Sequence, residues 1–149
     1  MDASGNNVYV VDRVNQRVQK FDSNGTFITK WGTNGPNDGE FTNPAGVAVD
    51  ALGNVYVVDT GNHRVQVFDS SGTFITKWGT NGPNDGEFNT PVGIVVDALG
   101  NVYVADHYNH RVQVFDSSGT FITKWGVSGT NDGEFNLPSD IVLDAAGNV

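Results

Sequence analysis

The sequence predicts an all-β fold made of repeated four-stranded sheets, and three observations carry that prediction. The same residues return every 47 positions: Trp31, Trp78 and Trp125; Pro44, Pro91 and Pro138; Asp50, Asp97 and Asp144; and the segment GTFITKWG beginning at Gly25, Gly72 and Gly119. Self-similarity at a fixed period of about 20–50 residues is the signature of stacked repeat units. Nineteen glycines and five prolines punctuate runs rich in Val, Thr, Phe and Tyr, the composition of short strands and tight turns. Within each period, four short runs alternate or are apolar throughout, too brief for helices.

The units are residues 7–53, 54–100 and 101–147 of a single repeat domain spanning 1–149. Ten positions separate the first unit from the second and eleven separate the second from the third, with no insertion. Such uniformity arises by recent amplification of one unit or by construction from a consensus.

In the middle unit, NVYVVD (residues 54–59) and RVQVFD (64–69) read as two strands joined by Thr60, Gly61, Asn62 and His63. After the turn Ser70, Ser71, Gly72 comes TFITKW, where Phe74, Thr76 and Trp78 face one way and Ile75 and Lys77 the other, as in a half-exposed outer strand. GIVVD (93–97) is apolar on both faces and suits the innermost position. The polar, Gly-rich stretch 79–90 then crosses from the outermost strand of one sheet to the innermost strand of the next. Four antiparallel strands followed by a long crossing is the grammar of a β-propeller blade.

At this point the run FNTPVGIVVDALGNVYVADHYNHRVQVFDSSGTFITKWG (88–126) resembles the NHL-repeat family, and the likeness extends over essentially the whole chain. The ordered Pro, Gly-Asn-Val-Tyr-Val, Asp and Asn-His-Arg-Val-Gln-Val-Phe-Asp carry it; the first unit departs in having Gln16 where the others have His63 and His110. The resemblance implies a six-bladed ring. Some members of that family are lyases and some bind RNA.

Labelling strands a to d outward from the hub, the chain reads bcd, abcd, abcd, a from Val8 to Leu143. Propellers close with about four to eight blades, so three blades leave an arc with two apolar faces. Two chains related by a two-fold axis supply six, and the terminal a strand, Ile141 to Asp144, would pair with strand b of the partner's first blade. The expected architecture is therefore a six-bladed propeller assembled from two three-blade chains, a homodimer by strand exchange. Near-duplication of DASGNNV (2–8) by DAAGNV (144–149) agrees with this, since each chain brings its own a-to-b turn. The alternative is a fragment of a longer propeller.

Composition narrows the function classes. A formal charge of −9 with eight Lys and Arg opposes binding to a phosphate backbone, so nucleic acid is not an expected partner. No cysteine is present, so disulfides and thiolate metal sites are excluded and the redox compartment stays open. The start of the chain has no basic stretch followed by an apolar run, and no apolar run approaches the roughly 20 residues of a membrane span, so neither a signal peptide nor a membrane partner is expected.

Candidate site residues fall into two groups. Asp12 with Arg17, Asp59 with Arg64 and Asp106 with Arg111 close strand b and open strand c; recurring in every unit, they read as structural pairs, worth about 0.2–1 kcal/mol each if exposed. Trp31, Trp78 and Trp125 read as structural in the same way. Strand alternation gathers the b-to-c loops and the d-to-a crossings at one end of the ring, and the units differ most there. Arg13, Thr60, His107, Tyr108 and Asp140 at that end form the candidate surface for a protein or small ligand, set against drift at loop positions.

No catalytic residue, metal ligand or cofactor is expected. The carboxylates of NDGEF (Asp38 and Glu40, and their copies) are too sparse for a calcium loop, and the three histidines lack convergent spacing for zinc. No Gly-rich phosphate loop or nucleophile elbow is present. Asn24, Gly25 and Thr26 form an N-glycosylation acceptor that matters only on a secretory route.

Overall fold

The computed structural model describes residues 5–144 and 146–148. Strands β1 (Asn7–Asp12), β2 (Arg17–Asp22) and β3 (Phe27–Trp31) form a three-stranded sheet. A two-residue parallel pair, β4 (Thr33–Asn34) with β5 (Glu40–Phe41), follows in the crossing loop. The middle sheet has the order β6 (Val47–Val49), β7 (Val55–Asp59), β8 (Arg64–Phe68), β9 (Phe74–Trp78). The third runs β10 (Pro91–Val96), β11 (Val102–Asp106), β12 (Arg111–Phe115), β13 (Phe121–Trp125). All neighbours within these three sheets are antiparallel. No helix among the described residues is long and apolar enough to cross a membrane.

Turn chemistry explains why the chain reverses where it does. Between β8 and β9 the Asp69 carboxylate accepts the amides of Ser71 and Thr73, while Gly72 takes φ +92°, a left-handed conformation costly for other residues. Between β7 and β8 a single 3-10 turn over Thr60–Asn62 ends on His63 at φ 53°, and His110 repeats this at φ 54°. The turn between β6 and β7 is tied by the Asp50 carboxylate, which accepts the amides of Leu52 and Asn54 and the Tyr56 hydroxyl. Desolvation, with the Asp50 charge second, pushes that hydroxyl up to about 12.

The core lies between sheets. One cluster joins Tyr9 and Val18 of the first sheet to Val55, Val57 and Phe68 of the middle one through Phe41 of the crossing loop. A second joins Tyr56, Val58, Val65 and Val67 to Val102, Val104 and Phe115 through Phe88. Burying a large aliphatic or aromatic side chain contributes about 1.5–3 kcal/mol, so each seam is driven chiefly by these residues. The tryptophans fit this reading: Trp31 meets Phe68 at 5.9 Å and Trp78 meets Phe115 at 5.7 Å between ring centroids.

The segment Ile141 to Asp144, expected to pair as an a strand with a partner chain, makes no ladder among the described residues of this single chain, and Ile141 is buried. The turn that follows does form, with Asp144 accepting the amides of Ala146 and Asn148 as Asp97 accepts those of Leu99 and Asn101. The expected duplication of the chain ends lies partly outside the described residues, at 2–4, 145 and 149. One expectation needs correction, that of the Asp–Arg pairs. Side-chain exposure is 7% for Arg64, 6% for Arg111 and zero for Asp59 and Asp106, so the energetics of exposed ion pairs do not apply to them.

Candidate functional site

Each Asp–Arg pair is the centre of a polar cluster that grips the preceding crossing loop. Arg64 Nε donates to Asp59 at 2.7 Å, while its two Nη atoms donate to the carbonyls of Pro36, Asn37 and Glu40 at 2.8–3.0 Å. Two strand positions on, Gln66 donates to the Glu40 carbonyl and accepts the Gly39 amide. Asn62 donates to the Gly35 carbonyl, and the other oxygen of Asp59 accepts the Thr42 amide. Arg111, Gln113, Asn109 and Asp106 repeat every one of these bonds on loop 82–89. A guanidinium suits this task because its planar fork directs several fixed donors at once, and the buried loop carbonyls would otherwise lack partners.

The acidic NDGEF loops are thereby organised from within and from the neighbouring sheet. Glu40 and Glu87 fold back onto the Asn37 and Asn84 amides, and Lys77 and Lys124 pair with Asp38 and Asp85. No group of three or more His, Cys, Asp or Glu side chains able to hold a metal ion occurs among the described residues.

In the first sheet the same residues stand differently. Arg17 Nε donates to Asp12 at 2.7 Å, but among the described residues its Nη atoms reach no carbonyl, and Gln19 bonds only to Asp12. Arg17 and Asp12 are 27% and 22% exposed.

The five loop-end candidates are not equivalent. Thr60 is buried and donates its hydroxyl to the Pro91 carbonyl at 2.8 Å, so it ties the middle sheet to the next. His107 lies 3.0 Å through Nδ1 from the Pro138 carbonyl, and its ring meets the exposed Tyr108 ring edge-on at 5.0 Å. Arg13 is exposed, and Asp140 is exposed with its carboxylate accepting the Ile141 amide. Arg13, Tyr108 and Asp140 are the exposed members of the five. The glutamines and asparagines that complete the grip were missed by sequence reasoning, although Gln19, Gln66 and Gln113 recur at the 47-residue period.

Beyond the grip, the outer face of the third sheet carries a cleft of about 280 Å³ lined by Val112, Trp125, Phe135, Pro138, Ile141 and neighbours. One period earlier, Val65 of the middle sheet and Phe88 of the crossing loop after it are fully buried in the seam with the third sheet.

Against known proteins, the NHL repeat family matches residues 41–68 and 88–115, two segments offset by the 47-residue period. Two segments of the chain are thus of NHL-repeat type. No curated protein matches it in sequence. The fold of this chain is similar to a Kuenenia stuttgartiensis hydrazine synthase structure at 16% identity, with a TM-score of 0.74 and coverage of 99% of this chain and 38% of that one. It is also similar to a streptogramin B lyase structure (15% identity, TM-score 0.64, 84% and 38% covered) and to a virginiamycin B lyase from Staphylococcus aureus (15%, 0.67, 94% and 43%). The chain thus spans less than half of each, and the shared feature is the propeller-type fold.

Proposed function

We propose that this chain is a self-assembling NHL-type propeller scaffold. Two chains of three blades close a six-bladed ring by strand exchange, and the ring presents a loop-lined end to a protein or small ligand without catalysing a reaction. The observation that carries this reading is the pair of complementary unmet needs at the two sides of the arc. Among the described residues β1 is the edge of a three-stranded sheet, with Val10 43% exposed where its copies Val57 and Val104 are fully buried. At the other side, Ile141 to Leu143 form no ladder among the described residues, beside the open cleft. An exposed edge with apolar flanks recruits another strand.

The loop-lined end is the binding surface of this reading, with Arg13, Tyr108 and Asp140 its exposed members. Light scattering is expected to report twice the 15.9 kDa chain mass, and removal of residues 139–149 is expected to return a single chain mass. A parent protein that stays at one chain mass at every concentration contradicts the reading.

A further inference from the structure

We infer that the incomplete grip of the first sheet is completed by loop 129–136 of a second copy, so that Arg17 of each copy latches the other's last crossing loop. The inference rests on the two-chain reading above and supplies its contact map.

The 47-residue period makes the map explicit. The two grips seen within the chain use the same offsets: arginine to carbonyls 28, 27 and 24 residues earlier, glutamine to the amide 27 residues earlier. Applied to Arg17 and carried across three periods, those offsets fall on the carbonyls of Thr130, Asn131 and Glu134 and, for Gln19, on the Gly133 amide. Loop 129–136 is already folded for the purpose. Glu134 accepts the Asn131 amide and side-chain amide, Gly129 donates to the Phe135 carbonyl, and Phe135 donates to the Val127 carbonyl, as in the two gripped loops. Yet among the described residues no side chain from another sheet reaches it, and Arg17 has donors with no acceptor.

Apolar groups match in the same register. Trp31 lies over Gly72 and Trp78 over Gly119, each indole where a Cβ would stand 2.5–2.8 Å away. Trp125 is 36% exposed, and the corresponding Gly25 has nothing within 4 Å of its Cβ position. The second copy therefore seats Trp125 on Gly25 beside Phe21. Lys30 and Asp132, both exposed, occupy the places of the Lys77–Asp38 and Lys124–Asp85 pairs.

The test is the dissociation constant of the assembled full-length chain by sedimentation equilibrium. Arg17→Ala is expected to raise it at least about 30-fold, the scale for truncating one member of a buried charged hydrogen-bond set, with the far-UV spectrum unchanged. Arg17→Lys is expected to recover only part of the loss, since an ammonium has no fork. Lys30→Asp and Asp132→Lys are each expected to weaken assembly and, combined, to restore it. An Arg17→Ala assembly as tight as the parent, or a combined variant no tighter than the singles, overturns the latch while leaving a two-chain ring intact. A parent chain that never associates overturns the ring itself.

Discussion

The first and middle sheets carry nearly the same residues and live in different surroundings. Arg64 and Arg17 both hold an aspartate at 2.7 Å, yet Arg64 is buried and bonds three loop carbonyls, while Arg17 is about a quarter exposed and bonds none among the described residues. Gly72 and Gly25 share a left-handed backbone, yet one lies under an indole and the other under open space. In this architecture the environment of a strand comes from the loops and sheets placed on either side of it, so identical sequence does not mean identical stability. Repeat proteins behave in this way generally, as units plus interfaces.

The largest expected separation is at the arginines. Arg64→Ala strands Asp59 in a buried site and is expected to destabilise the chain by about 3–5 kcal/mol in denaturant unfolding. Arg17→Ala, measured where the chain is dissociated, is expected to lose no more than about 1 kcal/mol. Equal losses would show that the two sheets are equally covered.

The glycines come next. Gly72→Ala places a methyl 2.7 Å from Trp31 on a φ of +92° and is expected to lose about 2–4 kcal/mol, from strain together with overpacking. Gly25→Ala has the strain alone, about 1 kcal/mol in the dissociated chain. A cost at Gly25 that rises to match Gly72 on assembly would sharpen the comparison.

The smallest effect is acid-dependent. The Ser71 hydroxyl, then the Thr73 amide, hold the Asp69 carboxyl down at about 2, and Ser118 and Thr120 do the same for Asp116. Because the folded value lies below the ordinary 3.8, the carboxylate stabilises the fold above about pH 4, and that contribution is lost as pH falls toward 2. Asp69→Asn is expected to flatten the rise of the unfolding midpoint between those pH values. Asp22, lowered chiefly by the Thr26 amide and flanked by Asn24 where its copies have serine, is expected to flatten it less. Indistinguishable slopes for Asp69→Asn and the parent would discount the turn carboxylates as acid sensors.

Strands b, c and d were legible because alternation and β-branched runs report local geometry, and the turns because Asp and Gly at fixed offsets state their own bonds. Ile141 to Asp144 has the same apolar signature and no ladder, since propensity cannot supply the neighbouring strand. The burial of Asp59 and Arg64 was equally invisible: it depends on carbonyls 24 to 28 residues away in a loop whose sequence is polar and shapeless. The β4–β5 pair escaped because two residues in a Gly-rich crossing carry no periodicity. Thr60 read as a surface loop position, whereas its hydroxyl is spent on the next sheet's Pro91.

The unbroken period has a consequence for how such molecules grow. Every unit brings its own socket, an Asp, Asn, Arg and Gln set, and its own plug, the folded crossing loop that follows. Copying one unit in a gene therefore adds a finished joint without any second site having to adapt, and lengthening the array requires no invention of matched surfaces.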